Sequence, residues 1–529
     1  MSDVVVIGGG IAGLASAALL AKEGHSVTLL EGRSEVGGRA GSWEHDGFRF
    51  DTGPSWYLMP EVFDHFYKLM GTSAAEQLSL VTLDPGYRVY FEGEKESLDI
   101  STDLEENLAL FESIERGSGA RMRKYLASAE DTYELAKRYF LYTSFADLRT
   151  SATKEVLAKA ARFIRLLIEP LSKLVARTVK DDRLRKVLGY PAVFLGSSPY
   201  LTPSMYHLMS HLDLSDGVLY PMGGFTRVIE SIADIARAAG VDIRTGSKVT
   251  RIVTVDGVAT GVEYTDAAGK RHTLNADTVV SAADLHHTET TMLESSEQTY
   301  PAEYWEKKVP GPSALLLYLG VKGELPELEH HTLLFMKDWQ EGFEAIFGDE
   351  PKVPEPASLY MCKPSGVDPN VAPEGYENVF VLVPIPADPA IGHGQLAGAG
   401  AGDERIEKLA DSVISQISEW TGIPDLADRI TVRRTVGPGD FADDLNAWRG
   451  TALGPAHTLK QSAFFRAGNV SKKVKGLYYV GGSTIPGIGL PMCLISAEVL
   501  VKRLRGDTSA GPLAEPLTPV VAPQPRPWP

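Results

Sequence analysis

Cysteine is scarce in this sequence: Cys362 and Cys493 are the two in 529 residues. Two cysteines cannot form a disulfide framework, and these two are not spaced as paired zinc ligands. The histidine pairs at 286–287 and 330–331 have no acidic or cysteine partner at ligand spacing along the chain. Because adjacent side chains on one element point in different directions, we expect no metal site. The composition is typical of a protein of the reducing cytosol.

A basic charge excess and a long apolar run are also missing. The formal net charge is -17, which excludes a general nucleic-acid binder because such a protein needs a basic face. No uninterrupted run of about 18 apolar residues occurs, so we expect no membrane-spanning helix. The N-terminal apolar stretch has no basic residues before it and is interrupted by Gly8, Gly9 and Gly10, so it is not a secretory signal.

The hydrophobic pattern predicts an α/β protein. The first residues are typical of a strand, a glycine turn, a helix and a second strand, while residues 104–190 are mostly helical in pattern. Residues 241–282 alternate as short strands, with turns at Asp256-Gly257 and Ala268-Gly269. Further helices are predicted over 226–239, over 403–421 and from near Pro491 to Arg505. A doubly wound parallel sheet accounts for the N-terminal unit.

A glycine motif follows the first predicted strand and opens the first helix. In Gly8-x-Gly10-x-x-Gly13, the first glycine makes a tight turn, the second lets a pyrophosphate approach the backbone, and the third packs the helix against the strand. Glu31 ends the next strand, where a carboxylate can accept hydrogen bonds from a ribose. Since a carboxylate repels a 2'-phosphate, NADP is disfavoured here. The motif predicts a bound dinucleotide.

Two further glycine-rich segments come after this unit. Gly37-Gly38-Arg39 resembles the second FAD-binding element of the flavin-containing amine oxidase superfamily. Near the C-terminus, a short strand opens into a loop with four glycines, which enters a helix at Pro491. Glycine is needed where the backbone turns at positive φ or another molecule comes close. By itself this loop is either shaped around a ligand or a plain strand-to-helix connection.

The wider sequence resembles the bacterial-type phytoene desaturases, which are carotenoid desaturases of that superfamily. Matching segments run from residue 4 to about residue 504, and the most specific are 219–243, 279–289, 433–454 and 459–496. Two positions depart from the family, which commonly has a polar residue where Ile485 stands and a small one at Ile488. The resemblance implies FAD, and it places the C-terminal glycine loop and helix at the flavin ring. The helix dipole there would stabilise negative charge on the reduced flavin.

The resemblance also implies a set of cofactor-binding residues, spread over four parts of the chain. They are Gly8, Gly10, Ile11, Ala12, Gly13, Glu31, Gly32, Gly37, Gly38, Arg39, Val249, Gly481, Gly482, Gly489, Pro491 and Met492. The activity implied is desaturation of phytoene or a related polyene, in which a hydride passes to the flavin and the neighbouring carbon loses a proton. Few catalytic side chains are then required.

The electron acceptor and the alternative activities are considered next. Because the chain has no second dinucleotide motif, quinone or oxygen is expected as the acceptor. A carotene cis-trans isomerase using reduced FAD is an alternative, and it would give a product of unchanged mass. Another amine-oxidase relative acting on an amine or a porphyrin precursor would need a polar pocket. A flavin-free or non-catalytic binding module is a third alternative, which the two completed FAD elements disfavour.

Asp147 and Arg149 are the acid-base candidates. They resemble an Asp and an Arg near the presumed polyene site of the family, where the arginine can stand one residue later. An exposed ion pair at a helix start is the alternative interpretation.

Residues 154–180 form a basic amphipathic pattern. Seven Lys or Arg and two Glu give 7 - 2 = +5, and apolar residues recur at helical spacing with an expected kink at Pro170. This pattern is that of a helix on an anionic membrane or of a buried-face helix in a soluble domain. Because phytoene-like substrates dissolve in bilayers, we expect peripheral contact with the inner face of the cell membrane.

The predicted domains are discontinuous. Residues 1–72, 217–300 and 440–506 are expected to form a Rossmann-like FAD-binding domain, and residues 73–216 and 301–439 an α+β substrate and membrane-facing domain. The proline-dense residues 507–529 are predicted to be a disordered tail.

Overall fold

A computed structural model describes residues 2–147, 153–395 and 402–519. The strands, in chain order, are β1 Asp3–Ile7, β2 Ser26–Leu30, β3 Ser42–His45, β4 Phe48–Asp51, β5 Leu80–Thr82, β6 Tyr87–Phe91, β7 Leu98–Ile100, β8 Leu219–Pro221, β9 Asp242–Arg244, β10 Lys248–Val255, β11 Val258–Thr265, β12 Arg271–Asn275, β13 Thr278–Ser281, β14 Ser313–Lys322, β15 His331–Phe335, β16 Leu359–Cys362, β17 Tyr376–Ile385, β18 Ile430–Val436 and β19 Leu477–Tyr479.

The helices surround these strands in several groups. They are α1 Ile11–Lys22, α2 Pro60–Met70, α3 Ala74–Gln77, α4 Leu104–Ile114, α5 Ser118–Ala136, α6 Lys154–Ala158, α7 Ala160–Ile168, α8 Leu171–Thr178, α9 Asp182–Gly189, α10 Met209–Leu214, α11 Gly224–Ala238, α12 Leu285–Thr291, α13 Ala302–Trp305, α14 Trp339–Phe347, α15 Glu404–Thr421, α16 Leu426–Arg429, α17 Pro438–Leu445 and α18 Leu490–Arg505.

One half of the molecule, called the parallel-sheet half below, is built on a five-stranded parallel sheet. Its strands lie in the order β19, β13, β1, β2, β9, and all are parallel. Helix α1 is buried along Ile11–Leu20 because α11 and α18 pack beside it, so its sequence is apolar all round. The meander β10, β11, β12 adjoins this sheet. The predicted Rossmann-like α/β fold is confirmed, and its strands come from all three segments assigned to it.

The other half, called the mixed-sheet half below, is built on a seven-stranded mixed sheet. Its order is β18, β14, β17, β16, β15, β6, β7, and each pairing is antiparallel except β15 with β6. One face packs on α15 and α16, and the other joins an aromatic core with the helices of residues 104–190. Strands β5 and β8 pair across the predicted domain boundary, and the boundaries themselves remain a prediction.

The region after α18 differs from the expectation of a disordered tail. Residues 507–519 return along the parallel-sheet half, where Leu513 and Leu517 are buried and the Leu517 amide donates to the Leu69 carbonyl at 2.9 Å. The Nζ atom of buried Lys502 donates to the carbonyls of Ser509 and Gly511. Prolines allow such an extended segment to dock by its leucines without helix or sheet, so the prediction was wrong for residues 507–519. Residues 520–529 lie outside the described chain.

Candidate functional site

The first glycine turn is constrained by the protein itself at two of its positions. Gly8 has φ of +96°, which is the left-handed region that favours glycine. A Cβ atom on Gly13 would lie 2.0 Å from the Gly8 carbonyl oxygen, so no side chain fits there. Gly13 therefore brings α1 against the turn, as the motif predicts, and it does not line the adjoining cavity.

Gly10 is free of such constraints from the protein. A Cβ atom there would lie 3.9 Å from its nearest neighbour, the Gly37 carbonyl oxygen, and the residue faces a cavity. The second glycine element lies directly alongside, since the Gly37 amide donates to the Gly9 carbonyl at 2.9 Å. Gly38 would place a Cβ atom 3.3 Å from the Gly10 Cα. The two glycine elements thus form one cradle at the start of α1, where free N–H groups suit a phosphate.

Glu31 stands at the carboxyl end of β2, beside this cradle. Its carboxylate accepts hydrogen bonds from the amides of Gly9 at 2.6 Å and Arg33 at 2.8 Å. These bonds fix the carboxylate at the cavity wall, which Gly32 and Val249 of β10 also line. The arrangement suits a ribose with free hydroxyl groups.

The C-terminal glycine loop is held in place by buried polar groups. Gly487 has φ of +146°, and a Cβ atom on it would lie 2.3 Å from His457 Nε2. The Arg466 guanidinium donates to the Gly482 carbonyl, and the Ser496 hydroxyl accepts from the Gly481 amide at 3.1 Å. Burial lowers the pKa of Arg466 to about 10. Buried hydrogen bonds therefore fix the shape of this loop.

Helix α18 starts at this loop and aims its N-terminus at the cavity. Gly489, Pro491 and Met492 all line the cavity, together with Gly481 and Gly482. A Cβ atom on Gly482 would lie 3.9 Å from its nearest neighbours, in Gly487 and Ile488, so this glycine too is open toward the cavity.

One cavity of about 860 Å³ joins these elements to the mixed-sheet half. Of the predicted cofactor residues, all except Gly13 line it, including Ile11, Ala12 and Arg39. Arg39 Nε donates to the Ala452 carbonyl at 2.7 Å, which ties the N-terminal cradle to the segment before the C-terminal loop. Open space beside Gly10 and Gly482, a helix N-terminus and a ribose-facing carboxylate fit a flavin dinucleotide.

The other arm of the cavity is aromatic and aliphatic. Its wall lies over the mixed sheet and includes Trp56, Tyr190, Phe194, Leu316, Leu333, Phe335, Trp339, Phe343 and Leu382. Trp56 is central, because its ring lies 5.4 Å from Phe194 and 4.2 Å from His331, the latter stacked at 9°. Sequence reasoning missed these residues: they come from separate elements and follow no shared periodicity.

Two buried hydrogen-bond networks reach this aromatic arm. Tyr190, on the cavity wall, donates to Asp213 Oδ2 at 2.7 Å, and Tyr87 donates to the same atom at 3.1 Å. Burial raises the pKa of Asp213 to about 7, although both phenols lower it. In the second network, the Tyr360 hydroxyl forms hydrogen bonds with Ser55 Oγ at 2.7 Å and with His331 Nδ1 at 2.7 Å.

Of the predicted acid-base pair, the structure describes Asp147 alone. Asp147 is half-buried in an irregular segment and is not among the described residues that line the cavity, and Arg149 lies outside the described residues. Of the two departures from the family, Ile488 lines the cavity and Ile485 is buried behind it.

The reasoning against a cysteine beside the histidine pairs was wrong for His330 and His331. In the register of β15 and β16, His331 lies directly opposite Cys362. The ligand atoms of His330, His331 and Cys362 all lie within 4.8 Å of one another, and all three residues are buried. Spacing along the chain could not predict this contact because it depends on strand pairing.

The basic amphipathic segment forms three short helices, α6, α7 and α8, with the expected break at Pro170. Leu157, Ile164 and Ile168 are 62%, 57% and 69% exposed, so the apolar face is not fully covered. Part of the basic charge is paired, for example Lys159 with Asp131 at 2.6 Å. Among the described residues, no helix has the length and hydrophobicity required to span a bilayer.

The comparisons with known proteins agree with this geometry. The sequence pattern described as flavin containing amine oxidoreductase matches residues 11–500. The chain belongs to this family. The carotenoid 3,4-desaturase of Haloarcula japonica is 40% identical over 96% of the chain and 98% of its own length. The zeta-carotene-forming phytoene desaturase of Myxococcus xanthus is 34% identical over 95% of the chain and 93% of its own length.

Solved structures show the same fold at low identity. An oxidoreductase from Methanosarcina mazei has a TM-score of 0.58 at 18% identity, covering 94% of this chain and 100% of the other. Cyclohexylamine oxidase from Brevibacterium oxydans has a TM-score of 0.55 at 15% identity, covering 95% and 99%. The chain is a flavin-dependent oxidoreductase, and the resemblance to carotenoid desaturases of this superfamily is confirmed.

Proposed function

We propose that the chain is an FAD-dependent carotenoid desaturase that introduces C=C bonds into phytoene or a related polyene. The observation that carries this proposal is the continuity of one cavity from the glycine cradle to the aromatic arm. A hydrocarbon in the aromatic arm would meet the flavin ring at the loop containing Gly481 and Gly489. The relatives named as desaturases support the same activity.

FAD is the form of flavin that the cradle favours. Only a dinucleotide extends from the start of α18 past the start of α1 to Glu31 and Val249, whereas a mononucleotide would leave the Glu31 end unfilled. Release of the cofactor by heat, followed by mass analysis, tests this directly. Recovery of flavin mononucleotide would contradict the assignment.

The aromatic arm binds the polyene and excludes water from it. When bound, the flavin supplies an acceptor for the hydride that leaves one allylic carbon. The ring faces of Trp56 and Phe194 suit the positive charge that develops on the polyene, because aromatic faces attract cations. The burial of apolar surface accounts for binding without charged contacts.

Tyr190 is the residue we assign to the proton that the neighbouring carbon loses. Its hydroxyl oxygen can accept that proton while its own proton passes to Asp213 Oδ2, 2.7 Å away. Because burial raises the pKa of Asp213 to about 7, this carboxyl group can hold a proton near neutral pH. Asp147 and Arg149 keep their predicted role only as an untested alternative.

Tyr87 offers a matched control for this assignment. It donates to the same Asp213 oxygen at 3.1 Å but does not line the cavity. We expect Y190F to reduce turnover by about 100-fold, the lower end for general acid-base catalysis, while Y87F stays near wild type. FAD content should be unchanged in both. Equal losses in the two variants would show that the hydroxyls only support the fold.

The substrate is tested by supplying two polyenes to the same enzyme. Phytoene is the expected substrate, and an acyclic carotenoid that is already conjugated is a second candidate because of the 40% identity to a carotenoid 3,4-desaturase. Cells that accumulate either compound would be given the gene, and product mass and absorbance recorded. Loss of two hydrogens per step supports desaturation. A product of unchanged mass would indicate isomerisation instead.

Quinone or oxygen is proposed as the electron acceptor. The photoreduced enzyme would be mixed with a soluble quinone under anaerobic conditions, and then with oxygen, while flavin absorbance is followed. Quinone is removed as the acceptor if only oxygen restores the oxidised spectrum.

Peripheral membrane contact is proposed to involve the exposed face of α6 and α7, on a protein that works at the inner face of the cell membrane. These helices pack near the cavity wall: Ser204 donates to the Leu166 carbonyl at 3.1 Å, and Tyr206 and Leu208 of the same turn line the cavity. An apolar face with Lys and Arg around it suits an anionic bilayer.

Liposome flotation tests this surface. We expect wild-type protein to bind vesicles of anionic phospholipid and the triple variant L157S/I164S/I168S to bind several-fold less, with FAD content unchanged. Exchange of the exposed Val255 and Val258 for serine, on the β10–β11 hairpin, is the control and should not change binding. Equal flotation of all three proteins would overturn the proposal.

A further inference from the structure

A cluster of two histidines and one cysteine lies beneath the aromatic arm, apart from the flavin cradle. The side-chain ligand atoms of His330, His331 and Cys362 are within 4.8 Å of one another. His331 and Cys362 face each other across the antiparallel pair β15 and β16, and the two histidine rings are 4.6 Å apart. Strand pairing therefore holds three potential metal ligands together.

The histidines carry buried nitrogen atoms that have no protein partner in the part of the chain described. Both ring nitrogens of His330 and Nε2 of His331 are of this kind, although the residues are 5% and 0% exposed. Buried polar atoms are almost always paired, because an unpaired one has lost its hydrogen bonds to water without gaining any from the protein. The unpaired nitrogens thus point to a ligand that the three side chains share.

The surroundings of His331 match those of a metal-ligating histidine. Its other nitrogen, Nδ1, lies 2.7 Å from the Tyr360 hydroxyl, which is itself 2.7 Å from Ser55 Oγ. A ligating histidine usually gives its second ring N–H to such a partner, which fixes the tautomer. Nε2 is then left buried with no hydrogen-bond partner among the described residues.

We propose that His330, His331 and Cys362 bind a borderline-soft divalent cation, with Zn²⁺ as the probe. Zinc takes two imidazoles and one thiolate readily, at about 2.0–2.3 Å, so tetrahedral ligands lie roughly 3.3–3.8 Å apart. The ligand atoms, which lie within 4.8 Å of one another, would have to close to that spacing by side-chain rotation when the ion binds. The ion would clamp β15 to β16 and, through Tyr360 and Ser55, fix two groups on the cavity wall.

The test measures metal and flavin in the same samples. The flavin-loaded chain, with no histidine tag, would be expressed with added zinc, dialysed against a chelator and measured by inductively coupled plasma mass spectrometry. We expect about one zinc per chain in the wild type, as a single site requires. C362A and H330Q should lose that zinc while keeping their flavin.

Two variants serve as controls, and a second measurement covers misfolding. H45N removes an exposed histidine and C493S the other thiol, and both should keep the zinc. If C362A and H330Q do not fold, the wild-type protein grown with cobalt should still show sulfur-to-cobalt charge-transfer absorption. Flavin-loaded wild type without zinc above background, or C362A with as much zinc as wild type, would overturn the proposal.

Discussion

The two halves of the molecule are built under different constraints. In the parallel-sheet half, single atoms decide the geometry: a Cβ atom on Gly13 would overlap the Gly8 carbonyl, and one on Gly487 would overlap His457. In the mixed-sheet half, large rings such as Trp56 and Phe194 share a wall by packing alone. A cofactor with fixed phosphates needs the first kind of surface, and a flexible hydrocarbon needs the second.

The largest effect is expected on stability, from a substitution in the glycine turn of the parallel-sheet half. G13A adds one methyl group 2.0 Å from the Gly8 carbonyl oxygen, and neither backbone segment can move without separating α1 from β1. We expect a loss of more than about 3 kcal/mol in the free energy of unfolding, beyond ordinary overpacking. Thermal unfolding and soluble yield measure it. A G13A protein as stable as wild type would contradict the strict role given to this glycine.

The same chemical change at Gly10 separates cofactor binding from folding. A Cβ atom there enters the cavity and lies 3.9 Å from its nearest protein neighbour. We expect G10A to fold normally and to bind FAD about 10- to 100-fold more weakly, equivalent to about 1.4–2.8 kcal/mol. Flavin titration of the apoprotein checks the affinity. If G10A loses stability as G13A does, the cradle is not open as described.

The aromatic wall of the mixed-sheet half should tolerate the loss of one ring with a smaller effect. Phe194 lines the cavity and is only partly buried, with its ring 5.6 Å from Tyr190. We expect F194A to reduce kcat/KM by about 10-fold, because one apolar contact contributes about 1–3 kcal/mol to discrimination. Steady-state turnover of the polyene gives the value.

A matched ring outside the cavity provides the control for F194A. Phe347 is partly buried against Phe343 but does not line the cavity, so F347A should leave kcat/KM near the wild-type value. Comparable losses in the two variants would mean that packing, and not substrate contact, carries the effect.

The smallest effect concerns pH and the docked C-terminal segment. Burial lowers the pKa of His65, but hydrogen bonds and charges from Glu498, 2.9 Å away, and from Glu515 raise it more, so the net shift is upward. A raised histidine pKa stabilises the folded state below the ordinary value of about 6.5, and this contribution is lost as pH rises through the folded pKa. The Leu517 amide should exchange faster above that range.

Hydrogen exchange of residues 507–519, corrected for intrinsic rates, measures this change. H65Q cannot titrate there, so its protection should be independent of pH. A wild-type segment with equal protection on both sides of the histidine range would contradict the linkage.

The contrast between the halves also explains what the sequence could predict. The Gly8-x-Gly10-x-x-Gly13 turn, Glu31 and the start of α18 carry their constraints within a few residues, so their positions are readable from spacing. Trp56, Phe194 and Cys362 meet their neighbours only through strand order and register, which spacing along the chain does not contain. The docking of Leu513 and Leu517 was likewise not predicted, because a proline-rich composition indicates disorder and says nothing of tertiary contacts.

The parallel sheet is completed by its last strand in the chain. β19 pairs with β13 at the sheet edge, and α18 then covers α1, joined by Arg505 and Glu23 at 2.8 Å. During synthesis, a ribosome therefore makes the first glycine turn long before the C-terminal glycine loop that lines the same cavity. Until α18 leaves the ribosome, the apolar α1 lacks the cover that this helix provides, and the nascent chain has no complete cavity. Cofactor capture is thus expected only after α18 has been made and has packed on α1, the first helix of the sheet.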